Sequence, residues 1–168
     1  MHYSISDDGK KFVNAYSKAS TPLGLVLSNF FYYPFECEKG YFPSVESLWH
    51  FLKYEGLAEA EAFHQLEGAK AKAYADELEQ KYSSRRIERN DLIYEAIWKK
   101  VQHFRKLFLA KYRDLPIVHF YVYNGVAVPV KEASTWLREL NKMKQCIYEG
   151  TDYKFERVEN LNSLTEFL

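Results

Sequence analysis

Residues 35–53 read FECEKGYFPSVESLWHFLK, and this stretch decides the fold class because its period changes midway. Phe35-Glu36-Cys37 and Tyr41-Phe42 flank Glu38-Lys39-Gly40, and a Gly in so short a connection between apolar runs predicts a tight β-hairpin. Pro43 and Ser44 then open a helix with Ser44 as its N-cap. From Val45 the apolar residues recur at 45, 48, 49 and 52, the spacing of one buried helical face. A hairpin running straight into an amphipathic helix belongs to an α+β chain rather than to the regular alternation of a doubly wound parallel sheet.

Beyond this stretch, Gly56 closes the helix, and Ala58–Tyr82 is rich in helix formers with a break at Gly68. Glu88–Tyr112 is the longest helical pattern, carried by Ile93, Ala96, Ile97, Val101, Phe104, Leu107 and Phe108. Ile117–Tyr123 and Val126–Val130 are β-branched and aromatic around Asn124-Gly125, the strongest short hairpin signal. Lys131–Glu149 returns to helix, with Gly150 as C-terminal cap. On the N-terminal side, Phe12–Tyr16 and Leu25–Leu27 are expected as short strands, separated by a polar segment with Pro22 and Gly24. Thr151–Leu168 is weakly patterned. The expectation is one helix-rich α+β domain over residues 1–168, with short β-hairpins.

Composition narrows the function. The 168 residues include 47% hydrophobic and 17% aromatic side chains, enough to fill a core and line a pocket. Lys plus Arg equals Asp plus Glu at 23 each, so global charge does not favour nucleic-acid binding, although a local basic patch stays open. Cys37 and Cys146 belong to no ligand cluster, which predicts reduced thiols and neither a disulfide nor a zinc site. No apolar run approaches a membrane span and the start lacks a signal core, so a cytoplasmic protein without a membrane partner is expected. The motifs of phosphoryl transfer, hydride transfer, zinc hydrolysis and serine acyl transfer are missing, and neither a cofactor nor a metal is expected.

Glu46 is the carboxylate that stands out. With Ser44 as N-cap it takes the second helical position, where backbone N–H groups and the helix dipole favour an anion. Such a carboxylate can deprotonate water or offset a cationic sugar transition state, although ordinary helix-end complementarity gives the same pattern. Glu46, His50 and Lys53 fall at i, i+4 and i+7 and form one polar stripe, which could bind a phosphorylated sugar but, taken alone, is more often a solvated helix face. Tyr121 and Tyr123 share a strand face with His119, which reads either as a pocket wall or as a half-buried sheet. Phe30-Phe31-Tyr32-Tyr33 offers rings for stacking a purine, most of them expected in the core.

Leu27-Ser28-Asn29-Phe30, then Pro34-Phe35, then Tyr41-Phe42-Pro43-Ser44-Val45-Glu46-Ser47 with Lys53 beyond, resemble the N-terminal signature of the NADAR superfamily, also called YbiA-like. Ala71-Lys72 resembles the family's Ala-Lys step, and residues 115–125 with Trp136 look like a compact branch associated with large bacteriophages. The resemblance runs from about Phe12 to Glu149. It departs at Ser47, where the family has His, at Ala75-Asp76, where it has Gly-Arg, and around Trp136, which is all that remains of an Asp-x-x-Trp-Gly segment.

The resemblance implies an α+β fold and hydrolysis of N-glycosidic bonds. Implied substrates are ADP-ribose attached to guanine, in nucleic acid or free, or a phosphoribosylated riboflavin-pathway intermediate. Glu46 maps onto the family's catalytic Glu. Asn29, His50, Lys53, Lys72, Tyr121 and Trp136 are then expected to bind substrate, and Arg85, Arg86 and Arg89 are the nearest substitutes for an arginine phosphate clamp. For a phage protein the compartment would be the host cytoplasm. The competing expectation is a module that binds ADP-ribose or an NAD-like ligand without turnover, for which the departures speak.

Overall fold

The computed structural model describes residues 3–109, 111–130 and 133–156. Its elements are β1 (Val13–Asn14), α1 (Pro22–Leu27), β2 (Phe35–Cys37), β3 (Gly40–Phe42), α2 (Val45–Tyr54), a 3-10 helix (Ala58–His64), α3 (Gly68–Glu79), α4 (Asn90–His103), α5 (Arg105–Leu109), β4 (Ile117–Val118), β5 (Phe120–Tyr123), β6 (Val126–Pro129) and α6 (Ser134–Glu149), preceded by a 3-10 turn at Ile5–Asp7. The strands make three two-stranded sheets, β2–β3 and β5–β6 antiparallel and β1–β4 parallel. The α+β class therefore holds. Among the described residues no helix is long and apolar enough to cross a membrane. Residues 157–168 of the weakly patterned C-terminal segment, and Lys131 and Glu132 at the expected start of the last helix, lie outside the described residues.

Chain contacts define two compact units, Met1–Ser28 with Val101–Leu168, and Asn29–Lys100. In the second, β2 and β3 pair Phe35 with Phe42 and Cys37 with Gly40, and Gly40 takes φ +106°, which an L side chain rarely adopts. Ser44 caps α2 as expected, its hydroxyl accepting from the Ser47 N–H at 3.2 Å. The helix is buried nearly all round, at Val45, Ser47, Leu48, His50, Phe51, Leu52 and Tyr54. Phe42 packs on Phe51 with ring centroids 5.2 Å apart, and Phe63 packs on His50 at 5.7 Å and on Tyr54 at 6.4 Å. The solvated-face reading of this helix is thereby corrected, because β3, the 3-10 helix and α3 all pack against it.

Three other expectations change. Leu25–Leu27 is the end of α1, not a strand, since Thr21 caps the helix by accepting from the Gly24 N–H at 3.0 Å and Pro22 sits at its first turn. A side chain at Gly24 would come within 2.3 Å of the Asn14 carbonyl oxygen, so only glycine lets α1 lie on β1. The long pattern of residues 88–112 divides into α4 and α5 at Phe104, where neither Gly nor Pro marks the break. Of the expected strand Phe12–Tyr16, only Val13 and Asn14 pair, with Ile117 and Val118. The buried Asn14 amide then bonds both backbone groups of Phe120, donating to its carbonyl at 3.1 Å and accepting from its N–H at 3.0 Å. That brings Phe12, Val118, Phe120 and Ala127 into one apolar cluster. Asn124 and Gly125, both at positive φ, turn β5 into β6, and Gly150 at φ +66° closes α6.

Candidate functional site

The second unit carries the carboxylate of interest. Ser44 Oγ accepts from the Ser47 and Gly68 N–H groups and bonds Ser47 Oγ at 2.7 Å, and Ser47 Oγ in turn donates to the Leu66 carbonyl. This hydroxyl chain ties the start of α2 to the start of α3. Ser47, the position where the family resemblance expects His, is therefore filled by a buried structural serine. The Glu46 N–H donates to the Asn29 carbonyl at 3.0 Å, and the Tyr33 N–H donates to the Pro43 carbonyl at 3.1 Å, so the segment from Asn29 to Tyr33 is laced along the β3–α2 junction. The helix-end N–H of Glu46 is thus already taken by the chain.

The Glu46 side chain is 12% exposed, and its Oε1 lies 2.9 Å from Nε2 of His50, which is 4% exposed. Two buried polar atoms of this unit have no hydrogen-bond partner among the described residues, Nδ1 of His50 and Oδ1 of Asn29. Buried polar atoms are rarely left unpaired in a finished core, and unpaired ones are what a ligand or an ordered water would satisfy. Sequence spacing put Glu46 and His50 on one stripe. The fold turns them into a bonded pair, with the imidazole on the carboxylate.

Lys53 lies half-buried on the last turn of α2, its ammonium 6.0 Å from the Tyr54 ring centroid, with no carboxylate within ion-pair distance among the described residues. The other expected cations differ. Lys72 is exposed and pairs with Asp76, the residue where the family resemblance expects Arg. Arg85 finishes α2: its N–H donates to the Lys53 carbonyl at 2.7 Å and its Nη1 to the Glu55 carbonyl at 2.9 Å. Arg89 forks onto Asp91 and also meets Glu38, and those carboxylates, Asp91 foremost, hold its guanidinium more firmly charged than usual. Arg86 is exposed. Two of the three arginines thus have structural duties that a phosphate clamp would have to replace.

Tyr121 and Trp136 belong to the first unit, where they meet around His119. His119 Nδ1 donates to the Ala15 carbonyl at 2.8 Å, and burial pushes the imidazole below its ordinary pKa, so Nε2 carries the lone pair. Trp136 and Tyr121 each stand edge-on to that ring with centroids 5.1 Å away, and Tyr16 stands edge-on to Tyr121 at 5.6 Å. Trp136 Nε1 is buried without a hydrogen-bond partner among the described residues. Tyr121 itself is exposed.

Sequence reasoning passed over Lys100. It is fully buried at the end of α4, and burial pushes its amine down to about 7. Its signal was present, since it falls in phase with Ile93, Ala96 and Ile97 on the apolar face of that helix. Among the described residues no group of three or more His, Cys, Asp or Glu side chains is placed to hold a metal ion. No family model, no curated protein and no solved structure matches this chain.

Proposed function

We propose that this chain is an N-glycosidase of the NADAR, YbiA-like type, cleaving the bond between C1 of a phosphorylated or ADP-linked ribose and a base nitrogen, most readily ADP-ribosyl-guanine or a ribosylamino-pyrimidine phosphate. The observation that carries this reading is the shielded Glu46 carboxylate bonded to His50, whose Nδ1, like Oδ1 of Asn29, is buried with no hydrogen-bond partner among the described residues. Glu46 takes a proton from water as the water oxygen bonds C1. The C1–N bond breaks with its electron pair going to the base, which takes up a proton from solvent. The ionised carboxylate also offsets the positive charge that grows on the ribose. The Lys53 ammonium, with no carboxylate in ion-pair distance among the described residues, serves the substrate phosphate. Asn29 serves ribose hydroxyls. We assign the protein to the cytoplasm, that of the host if it comes from a phage.

A second reading, a module that binds ADP-ribose or an NAD-like ligand without turnover, draws on one observation: among the described residues no second carboxylate bonds Glu46, His50 or Asn29, so no acid for the leaving base accompanies the base. One experiment separates them. The pure protein is incubated with ADP-ribosylated DNA, ADP-ribosyl-guanosine, NAD and the riboflavin intermediate, and released base is detected by mass. Release from any of these supports the glycosidase. Tight binding of ADP-ribose with no release from all four replaces it by the binding module.

A further inference from the structure

We propose that His50 is a positioning residue, which clamps one oxygen of Glu46 through an Nε2–H donor and leaves the other oxygen to water. This rests on the glycosidase reading for its use, and on geometry for its existence. A carboxylate side chain on the first turn of a helix has several rotamers, and reaction requires one of them. His50 selects it: Nε2 lies 2.9 Å from Oε1, one helical turn on, and an ionised carboxylate offers only acceptors, so the imidazole must present its proton at Nε2. The ring cannot swing away, being 4% exposed and stacked at an interplanar angle of 23° on Phe63.

The cost of this arrangement is visible on the same ring. With Nε2 committed to Glu46, Nδ1 is buried and unpartnered. A buried atom of that kind destabilises a fold, and an apolar ring of the same shape would remove the penalty. A side chain kept only for packing would be better as Phe, which would stack on Phe63 equally well. The stretch around it does not demand polarity either, since Leu48, Phe51 and Leu52 are all buried apolar neighbours in sequence. What the imidazole adds over phenyl is the donor to Glu46, so its presence points to the carboxylate.

His50→Phe therefore keeps the ring and removes the donor. The variant removes the unpartnered Nδ1 but also strips the shielded Glu46 carboxylate of its donor, so its melting temperature is no readout, while its kcat should fall by about tenfold to a hundredfold at unchanged KM, the loss expected for one charge-assisted hydrogen bond. His50→Gln, which restores an N–H donor at the same helical step, should recover most of that rate. Independently of activity, long-range proton–nitrogen NMR of the wild-type imidazole should show the Nε2–H tautomer alone. Wild-type kcat in a folded His50→Phe, or an Nδ1–H tautomer, overturns the proposal. Should His50→Phe not fold, the Gln variant and the tautomer decide it, a hundredfold loss in Gln counting against the donor role. If the wild type releases base from no N-riboside, the glycosidase reading fails by itself, and the tautomer alone then upholds or overturns the clamp.

Discussion

Helix α2 and the β5–β6 hairpin both carry side chains at a regular period, and they end in opposite environments. On α2, Glu46, His50 and Lys53 share a stripe that spacing alone would leave in water, yet His50 is buried because β3, the 3-10 helix and α3 enclose the helix on several sides. On the hairpin, Tyr121 faces Val128 and Tyr123 faces Val126 across the strands, and all four are exposed, Tyr123 to 72%. The opposite face, through Phe120 and Ala127, sits in the apolar cluster with Phe12 and Val118. Period tells which residues share a face, whereas the number of neighbouring elements tells how many faces are dry. The polar groups of the second unit are accordingly where substitutions should matter, and the hairpin face is where they should not.

The largest effect is expected at Lys100, the extreme case of a dry polar group. Its amine is depressed to about 7 from an ordinary 10.5, so between those values the unfolded chain holds a proton that the folded chain lacks. Stability should then rise with pH across that window. Lys100→Met should abolish the rise. Urea unfolding of both proteins at about pH 6 and about pH 10 checks it, and parallel pH dependences would show that Lys100 keeps an ordinary proton affinity.

Next comes Glu46→Gln. The amide keeps an oxygen for His50 but cannot take a proton, so turnover should fall by on the order of a hundredfold or more with little change in melting temperature. Undiminished base release would end the mechanism and shift weight toward a residue outside α2.

Lys53→Met should act on binding and only through charge, since Met retains most of the aliphatic stem. Affinity for ADP-ribose should drop by about tenfold to a hundredfold and affinity for adenosine should hardly move, as calorimetric titration would show. Equal losses for both ligands would make Lys53 a structural residue and return the phosphate to Arg85, Arg86 or Arg89.

The smallest effect is expected on the hairpin. Tyr123→Ser removes an exposed ring and should change the unfolding free energy by no more than about 0.5 kcal/mol. A larger loss, or a fall in base release, would break the contrast with α2 and make the exposed hairpin face a working surface.

Much of this molecule is legible in local sequence because local chemistry causes it. Ser44 three residues before Ser47 caps α2, Asn124-Gly125 accepts the positive φ angles of a two-residue turn, and Gly150 closes α6 in the left-handed region. Thr21-Pro22 carries the same kind of signal for α1, and the strand expected at Leu25–Leu27 overlooked it. The split of α4 from α5 at Phe104 has no such mark, since the apolar period runs on through Phe104 to Phe108.

By itself, the sequence determined the hairpin into α2, the place of Glu46 on its first turn and the α+β class, all consequences of spacing, caps and turn residues acting within a few positions. Only the tertiary structure decided that His50 bonds Glu46 in a dry interior, that Ser47 is spent on the Leu66 carbonyl, that Arg85 and Arg89 serve backbone and carboxylates, and that Lys100 is sealed in. Each of these depends on which distant segment lies against the residue, and burial, unlike periodicity, is a property of neighbours far apart in the chain.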